Sequence, residues 1–292
     1  MKYRSLPVRD FDLDYTISSG QVFNWDYKDG FWLGTIKNAL FKIRQNGDKL
    51  FFISNLPEKT AKQRLKKYFN LTTDLSTLIK DIDKDETIHK AVSSFRGLRV
   101  VNVPPWECAV SFLLSINTNI PRIKKMIGNL CSKYGRQVSV DGINRYTFPS
   151  PEKLLDAGLL RLKKLKLGFR ARYLFEFARK IKGQKNFLEY LKKDRYDIAK
   201  CKLTNCLGIG PKVADCVLLY SYDKAYAFPV DVWIRRAMTR YYGDKIRAMF
   251  CLKKNENIKD AHIRDFATGY FGRYAGWAQV YLYCYARKEL KT

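Results

Sequence analysis

The sequence predicts an α+β fold in which an N-terminal antiparallel β-sheet domain packs on a predominantly helical body. Between Phe11 and about Ser54, aromatic and aliphatic residues alternate with polar ones, and this period of two is typical of half-buried strands. After Pro57 the apolar residues recur three or four positions apart, which is typical of amphipathic helices. The change of period predicts a change of structural class near Leu56.

Local signals place individual elements within these two regions. Asn46-Gly47 favours a hairpin turn between two strands. Asn119 and Pro121 are start signals for a helix, and the proline-rich loop 149–151 precedes another helix. The first of these helices would bury an apolar stripe made of Ile123, Ile127, Leu130 and Tyr134.

The expected domain division follows the same change of period. We expect residues 1–56 to form the N-terminal part of the sheet domain, with an alternative end after further helix at about residue 95. Residues 96–292 would then form the helical body. No Gly/Ser-rich spacer separates the two parts, so we expect them to pack together rather than to move independently.

The charge balance points to a polyanionic partner. The 292-residue chain has 55 Lys and Arg residues against 28 Asp and Glu residues, which gives a formal net charge of +27. Such an excess is typical of proteins that bind nucleic acids. Ribosomal and RNA-binding proteins share this balance, and the basic residues are spread along the chain. Charge alone therefore locates no groove.

Cysteine and histidine usage narrows the compartment and the chemistry. The seven cysteines form no C-x-x-C pair, and an odd number favours reduced thiols in an intracellular protein. With two histidines, zinc or histidine-based catalysis is not expected. No secretion signal or membrane span is recognisable. We expect a protein that is cytoplasmic or nucleoid-associated in a prokaryote, nuclear in a eukaryote, and not secreted.

A glycine hairpin with a lysine is the most informative segment. The run Leu207-Gly208-Ile209-Gly210-Pro211-Lys212 places two glycines around one apolar residue, so the backbone can turn tightly and expose N–H groups to phosphate. Pro211 fits the first turn of the helix that follows. Lys212 in that turn faces an unfavourable helix dipole, which suggests a role other than stability. Solvation of Lys212 is the simpler alternative.

Asp231 follows this run by nineteen residues, in the segment Phe228-Pro229-Val230-Asp231. Taken alone, it is a good N-cap for a helix that carries Ile234, Met238 and Tyr241 on one face. Taken with Lys212, it completes an amine and carboxylate pair that could act on a sugar. Both interpretations remain open at this point.

Several segments together resemble one enzyme family over nearly the whole chain. They are CLGIGPKVADC, FPVDVW, SGQVFNW, SINTNIPRI, LGFRARY and YAGWAQ. The first two resemble the helix-hairpin-helix and Gly/Pro-Asp signature of DNA base-excision glycosylases, and SGQVFNW resembles the 8-oxoguanine DNA glycosylases in particular. The resemblance implies a helix-hairpin-helix glycosylase body with a substrate cleft between helical subdomains. No C-terminal cysteine quartet is present, unlike the iron–sulfur endonuclease III type.

The resemblance implies that Lys212 and Asp231 are catalytic. An uncharged lysine amine would attack the anomeric carbon, expel the base and remain as a Schiff base, which permits strand cleavage by β-elimination. Asp231 would stabilise positive charge on the sugar or help to activate the nucleophile. The reaction needs no metal and no organic cofactor. A structural cation bound by hairpin carbonyls is also compatible with the family.

Four further residues would bind the flipped base. By resemblance, the carbonyl of Gly20 would accept from the N7–H that distinguishes 8-oxoguanine from guanine. Gln279 would bind the Watson–Crick edge, while Cys216 and Tyr283 would sandwich the ring. Tyr283 stands where the human-like enzymes have phenylalanine. The alternatives are a β-turn glycine at position 20 and ordinary core packing for the other three.

The remaining expected site residues would contact the rest of the DNA. By resemblance, Asn117 is the plug that fills the hole left by the flipped base, and Phe169 is the wedge, in place of the family's common tyrosine. Arg122 and Arg170 would read the orphaned partner base and favour cytosine. The amides of Gly208 and Gly210 would hold the phosphate backbone. A capped helix start at 117–122 and a surface charge cluster around Arg170 are the structural alternatives.

The leading hypothesis is an 8-oxoguanine DNA glycosylase with an associated abasic-site lyase activity. Its partner would be double-stranded DNA that contains oxidised guanine; we expect a monomer and no membrane association. One alternative keeps the fold but changes the lesion to another damaged base. Another is a non-catalytic DNA-binding protein in which Lys212 contacts phosphate and Asp231 caps a helix.

Overall fold

The N-terminal part of the protein contains an antiparallel five-stranded sheet. The computed structural model describes residues 3–290, so residues 1, 2, 291 and 292 of the expected domain ranges lie outside the described residues. The strand order is β1-β5-β4-β3-β2. The strands are β1 (Arg4–Pro7), β2 (Trp25–Lys28), β3 (Phe31–Ile36), β4 (Ala39–Asn46) and β5 (Lys49–Ser54). The predicted turn lies between β4 and β5, where Gly47 has a φ of 57°.

Two details differ from a sheet that begins at Phe11. Strand β1 precedes that residue and pairs with β5, with Leu6 opposite Leu50. Residues Leu13–Ser18 form a short helix, α1, instead of a strand. Asp12 caps this helix by accepting a hydrogen bond from the N–H of Tyr15 at 2.7 Å. The alternation of aromatic and polar residues in this region predicted strands and did not reveal this helix start.

The sheet is attached to the helical body through Trp25. A Cβ at Gly34 would lie 2.2 Å from the Trp25 ring, so the glycine on the neighbouring strand makes room for the indole. The indole N–H donates to the hydroxyl of Tyr68 at 3.0 Å. Tyr68 closes the first helix after the sheet, and the pair therefore joins the two structural classes.

Helices form most of the chain after the sheet, as the change of period predicts. They are α2 (Glu58–Tyr68), α3 (Leu75–Ile82), α4 (Glu86–Ser94), α5 (Pro105–Leu114), α6 (Ile120–Tyr134), α7 (Pro151–Lys163), α8 (Arg170–Gly183), α9 (Phe187–Lys193), α10 (Tyr196–Thr204), α11 (Pro211–Tyr222), α12 (Val232–Met249), α13 (Asp260–Phe271) and α14 (Ala275–Glu289). The side chain of Asn119 caps α6 by accepting from the N–H of Arg122 at 3.1 Å. Ser150 caps α7, whose first residue is Pro151.

A small hairpin interrupts the helical part, and the sequence patterns did not predict it. Its strands are β6 (Gln137–Val140) and β7 (Ile143–Tyr146). Val138 and Val140 pack on Leu40 and Ile53 of the sheet. Asp141 in its turn forms an ion pair with Lys42, with 2.8 Å between Nζ and Oδ2. The hairpin therefore covers part of the sheet face that points away from the helices.

One hydrophobic core runs through both structural classes, from Leu6 near the N-terminus to Cys284 in α14. Arg99 lies inside the junction and is 2% exposed. Its guanidinium donates to four backbone carbonyls, those of Arg9, Asp10, Asn70 and Thr73. A buried arginine whose donors are used in this way fixes the loops around it. The sheet and the helices therefore form a single packed unit.

Candidate active site

A cleft of ≈ 1510 Å³ opens where α5, α6, α11, α12 and α14 meet the loop after α1. Its lining brings together most of the site residues expected from the sequence, namely Gly20, Asn117, Gly208, Gly210, Lys212, Cys216, Asp231, Gln279 and Tyr283. Arg122, Phe169 and Arg170 lie outside this lining. We call residues 207–231 the hairpin wall. Residues 115–122 with Phe169 and Arg170 are the plug wall.

Glycine is required at one of the two hairpin positions. Gly208 has a φ of 84°, and a Cβ there would lie 2.4 Å from the ring of Tyr173. Gly210 is the N-cap of α11, and an added Cβ would meet no atom within 4 Å. The hairpin is thus built on Gly208 and anchored to α8 through Tyr173. The cleft-lining start of α11 carries unpaired N–H groups, which suit an anion such as phosphate.

Lys212 lies in the first turn of α11 and is held by Phe112 of α5 and by Ser115, which follows the last residue of that helix. Its Nζ donates to the hydroxyl of Ser115 across 3.4 Å and lies 5.0 Å from the centroid of the Phe112 ring. The Ser115 hydroxyl itself donates to the Phe112 carbonyl at 2.7 Å, so its lone pairs face the amine. Among residues 3–290, no carboxylate lies within ion-pair distance of this Nζ. The amine is therefore positioned without being tied to an acid.

Asp231 caps α12 and also lines the cleft. Its Oδ1 accepts a hydrogen bond from the N–H of Ile234 at 2.8 Å. Burial raises the pKa of the Asp231 carboxyl, whereas the Ile234 hydrogen bond and the charge of Lys212 act in the opposite direction. The same side chain therefore caps α12 and lies in the cleft. A carboxylate placed in this way can interact with positive charge that develops in the cleft.

Gly20 and Tyr283 lie against each other in the lining of the cleft. Gly20 follows α1 with a φ of 84°, so it terminates a helix rather than forming a β-turn between strands. A Cβ at this position would lie 3.1 Å from the Tyr283 hydroxyl. Gln21 fixes the loop, because its amide bonds to Ser19, to the Arg99 carbonyl and to the Val101 N–H. Any side chain at position 20 would therefore strain the backbone and crowd the aromatic ring.

Gln279 is buried and already oriented. Its Nε2 donates to the Pro229 carbonyl at 3.1 Å, and its Oε1 accepts from the Tyr220 hydroxyl at 3.4 Å. An amide has two donor hydrogens and two acceptor lone pairs, so one of each remains for a ligand. The Tyr220 ring in turn stacks on Phe112, which lies under Lys212. A continuous aromatic surface therefore links the amide to the lysine.

Cys216 lies one helical turn after Lys212 and is 2% exposed. Burial raises the pKa of its thiol to about 12, so the group is uncharged at neutral pH. It presents an apolar, polarisable surface and does not compete with Lys212 as a nucleophile. This chemistry suits a packing contact with a planar ring.

The plug wall holds its expected residues in three different environments. Asn117 precedes α6 with a left-handed φ of 47°, which places it in the loop rather than in the helix. Phe169 is 49% exposed at the start of α8, which is unusual for a phenylalanine. The side chain of Arg122 is exposed, and within the described chain its guanidinium makes no hydrogen bond to protein. These two side chains are available to a partner.

Arg170 points into the protein and does not form the surface charge cluster that the sequence left as an alternative. It is 3% exposed. Its guanidinium donates to the carbonyls of Ile116, Asn117 and Leu167, with 3.0 Å between Nη2 and the Asn117 oxygen. A contact with a partner base would require these bonds to be exchanged. In this conformation Arg170 holds the plug loop from inside.

Sequence patterns did not single out three residues that the structure places at the site. Ser115 contacts Lys212, Tyr173 lies under Gly208, and Arg287 lines the cleft beside Tyr283. Tyr173 and Ser115 lie in the segments LGFRARY and SINTNIPRI, but their contacts depend on residues distant in the chain. Arg287 could have been found from its spacing, since it lies four residues after Tyr283 and eight after Gln279.

Comparison with known families identifies the group to which the chain belongs. The family described as 8-oxoguanine DNA glycosylase, N-terminal domain, matches residues 5–109. The family described as HhH-GPD superfamily base excision DNA repair protein matches residues 110–261. The chain belongs to the 8-oxoguanine DNA glycosylase family. The two matches meet inside α5, so the helices up to α4 fall with the sheet in this family's division.

Known members of the 8-oxoguanine DNA glycosylase family and their solved structures extend this likeness. The N-glycosylase/DNA lyase of Saccharomyces cerevisiae is 34% identical, over 77% of this chain and 66% of the yeast protein. A structure of MBOgg1 with a low affinity DNA ligand has a TM-score of 0.90 at 32% identity and covers 100% of both chains. The Clostridium acetobutylicum 8-oxoguanine glycosylase/lyase, in complex with double-stranded DNA that contains cytosine opposite the lesion, has a TM-score of 0.87 at 30% identity and covers 98% of both chains.

Across residues 3–290, every helix is too short or too polar to cross a lipid bilayer.

Proposed function

We propose that this protein removes 8-oxoguanine from double-stranded DNA and then cleaves the resulting abasic site. The observation that carries the proposal is a single cleft that holds Lys212, whose amine forms no ion pair within residues 3–290, and Asp231, the carboxylate that caps α12, beside Gly20, Cys216, Gln279 and Tyr283. Membership of the 8-oxoguanine DNA glycosylase family supports this substrate. The protein would act wherever the cell keeps its DNA.

The proposed reaction uses Lys212 as the nucleophile. The amine nitrogen forms a bond to C1′ of the flipped nucleotide, while the bond from C1′ to N9 breaks and its electron pair leaves with the base. The attacking amine loses one proton as the new C–N bond forms, and the departing base takes up one proton. The nitrogen lone pair then forms the C1′=N bond of the Schiff base while the C1′–O4′ bond breaks, and O4′ takes up a proton as the sugar ring opens. Loss of a proton from C2′ then expels the 3′ phosphate by β-elimination. Asp231 would stabilise positive charge on the sugar during the first step.

Other residues that line the same cleft would bind the base. The remaining donor and acceptor of Gln279 suit the Watson–Crick edge of a guanine, which offers both kinds of group. Cys216 and Tyr283 would contact the two faces of the ring, and the carbonyl of Gly20 would accept from N7–H. A base outside the stack leaves a gap that Asn117 and Phe169 would fill from the plug wall.

The test is incubation of the purified protein with a labelled duplex that contains 8-oxoguanine opposite cytosine, with and without borohydride. We expect release of the free base and a covalent protein–DNA adduct. Lys212→Gln should bind the duplex and form no adduct, whereas the exposed lysine variant Lys59→Gln should behave as the wild type. Base release without an adduct would replace the lysine mechanism by attack of water. Tight DNA binding with neither product would overturn the proposed substrate.

A further inference from the structure

One stripe of α14 faces the cleft at positions 279, 283 and 287. These residues are separated by four positions each, so they follow one side of the helix. Gln279 and Tyr283 belong to the proposed base contacts. Arg287 continues the same line and also lines the cleft. It therefore lies next to the place where the flipped base would be bound.

Arg287 contacts the aromatic residue rather than an acid. Its guanidinium carbon lies 5.4 Å from the centroid of the Tyr283 ring, within the range of a cation–π contact. Within residues 3–290, no carboxylate is close enough to form an ion pair with it. The guanidinium is half-buried, and the Tyr283 ring is its attractive contact in the cleft.

The Tyr283 ring is held at two points. Arg287 lies over the ring, and Gly20 lies against its hydroxyl end, where an added Cβ would come within 3.1 to 3.4 Å of the hydroxyl oxygen and two ring carbons. Two χ angles determine where such a ring points, and two contacts are enough to restrict both. A stacking surface that is fixed before the ligand arrives loses less conformational entropy on binding.

We propose that Arg287 is a positioning residue for recognition of the damaged purine: it fixes Tyr283 as the surface on which the flipped base stacks. The inference rests on the proposed function and adds a residue to it. It predicts that replacement of Arg287 affects only the reaction in which a damaged base is present. Excision of 8-oxoguanine needs the stacking surface, whereas cleavage at a preformed abasic site involves no base and needs only the lysine and the DNA contacts.

The experiment measures both reactions on the same variants. Arg287→Met keeps the length of the side chain and removes its charge, and Arg287→Lys keeps the charge. We expect Arg287→Met to slow single-turnover excision opposite cytosine about tenfold, and Arg287→Lys to recover part of this loss. Both should cleave a duplex with a preformed abasic site within about twofold of the wild type, since a cation–π contact to Tyr283 plays no part there. Lys288→Met, at the neighbouring exposed position, is the matched control.

A double variant tests whether Arg287 acts through Tyr283. In a Tyr283→Leu background, Arg287→Met should cause no further loss of excision, because the ring that it holds is gone. Equal loss of both reactions in Arg287→Met would overturn the inference and assign Arg287 to the phosphate backbone or to general stability. Unchanged excision would overturn it as well. A wild-type protein that excises no 8-oxoguanine would instead refute the proposed function.

Discussion

The two walls of the cleft are constructed differently. On the hairpin wall the backbone itself sets the positions of the proposed catalytic groups: Gly208 adopts a left-handed turn, Pro211 starts α11, and Asp231 caps α12. On the plug wall a side chain from another helix holds the loop, because Arg170 bonds to its carbonyls. The backbone positions of Lys212 and Asp231 are thus set by local turns and caps, whereas the loop that we propose contacts the partner strand is held by a tertiary contact that can be exchanged.

Replacement of the proposed nucleophile should give the largest effect, because it should abolish the reaction while leaving DNA binding intact. Lys212→Gln is expected to lower both excision and abasic-site cleavage by on the order of 10³ or more, because the covalent step is lost. DNA affinity should remain close to that of the wild type, since the plug wall and hairpin amides are intact. Borohydride trapping and a binding titration measure the two quantities. Persistent trapping would assign the amine to another lysine.

Asp231→Asn should lower excision by about 10² while preserving the helix cap, since asparagine is an equally good N-cap. The activity of the wild type should also fall as the pH falls towards the raised pKa of this carboxyl. The pH profile of the variant should lack this acidic decrease. The folded protein binds this proton more tightly than the unfolded chain does. The carboxyl therefore contributes most to stability below its ordinary pKa, and that contribution is lost as the pH rises through the raised value.

The pH dependence of single-turnover excision and of thermal unfolding checks both expectations. Excision at the wild-type rate in Asp231→Asn would leave helix capping as the only role of this residue.

The two hairpin glycines give a matched pair that tests how rigid the hairpin wall is. Gly208→Ala should destabilise the protein by about 1–3 kcal/mol, through backbone strain and the clash with Tyr173. Gly210→Ala has room for its methyl group, so its melting temperature should stay near the wild-type value. A loss of DNA affinity in Gly210→Ala alone would then report the approach of a phosphate. Equal melting temperatures for both variants would contradict the structural distinction.

Replacement of the two arginines of the plug wall should likewise have different effects on specificity and on stability. Arg122→Ala is expected to reduce the preference for cytosine opposite the lesion about tenfold. Stability should change little, because the guanidinium is exposed and makes no hydrogen bond to the described part of the protein. Arg170→Met should chiefly lower stability, by roughly 1–3 kcal/mol, because buried carbonyls lose their donors. Excision opposite each of the four bases, together with thermal melts, distinguishes them. An unchanged cytosine preference in Arg122→Ala would remove that residue from partner-base recognition.

A change in the scaffold should affect neither wall. Glu107 in α5 is buried, accepts from the Lys37 N–H at 2.9 Å, and leaves Oε2 without a partner. Burial raises its pKa to about 8, so the folded protein retains this proton up to higher pH than the unfolded chain. Stability should therefore fall as the pH rises from the ordinary glutamate value through 8, and Glu107→Gln should flatten this dependence. Thermal melts across this range, with excision measured alongside, check the expectation.

The sequence by itself determined the α+β class, the glycine hairpin before α11, the cap at Asp231 and the start of α6, since turns, caps and helical periods depend on neighbouring residues. It did not determine α1 inside the aromatic alternation or the β6–β7 hairpin, whose apolar residues are explained by the sheet face that they cover. The contact between Arg287 and Tyr283 follows from their spacing of four residues in α14, but only the tertiary structure brought Ser115 to Lys212 and turned Arg170 inward. These contacts join distant segments or depend on side-chain direction, and packing of the whole core decides both.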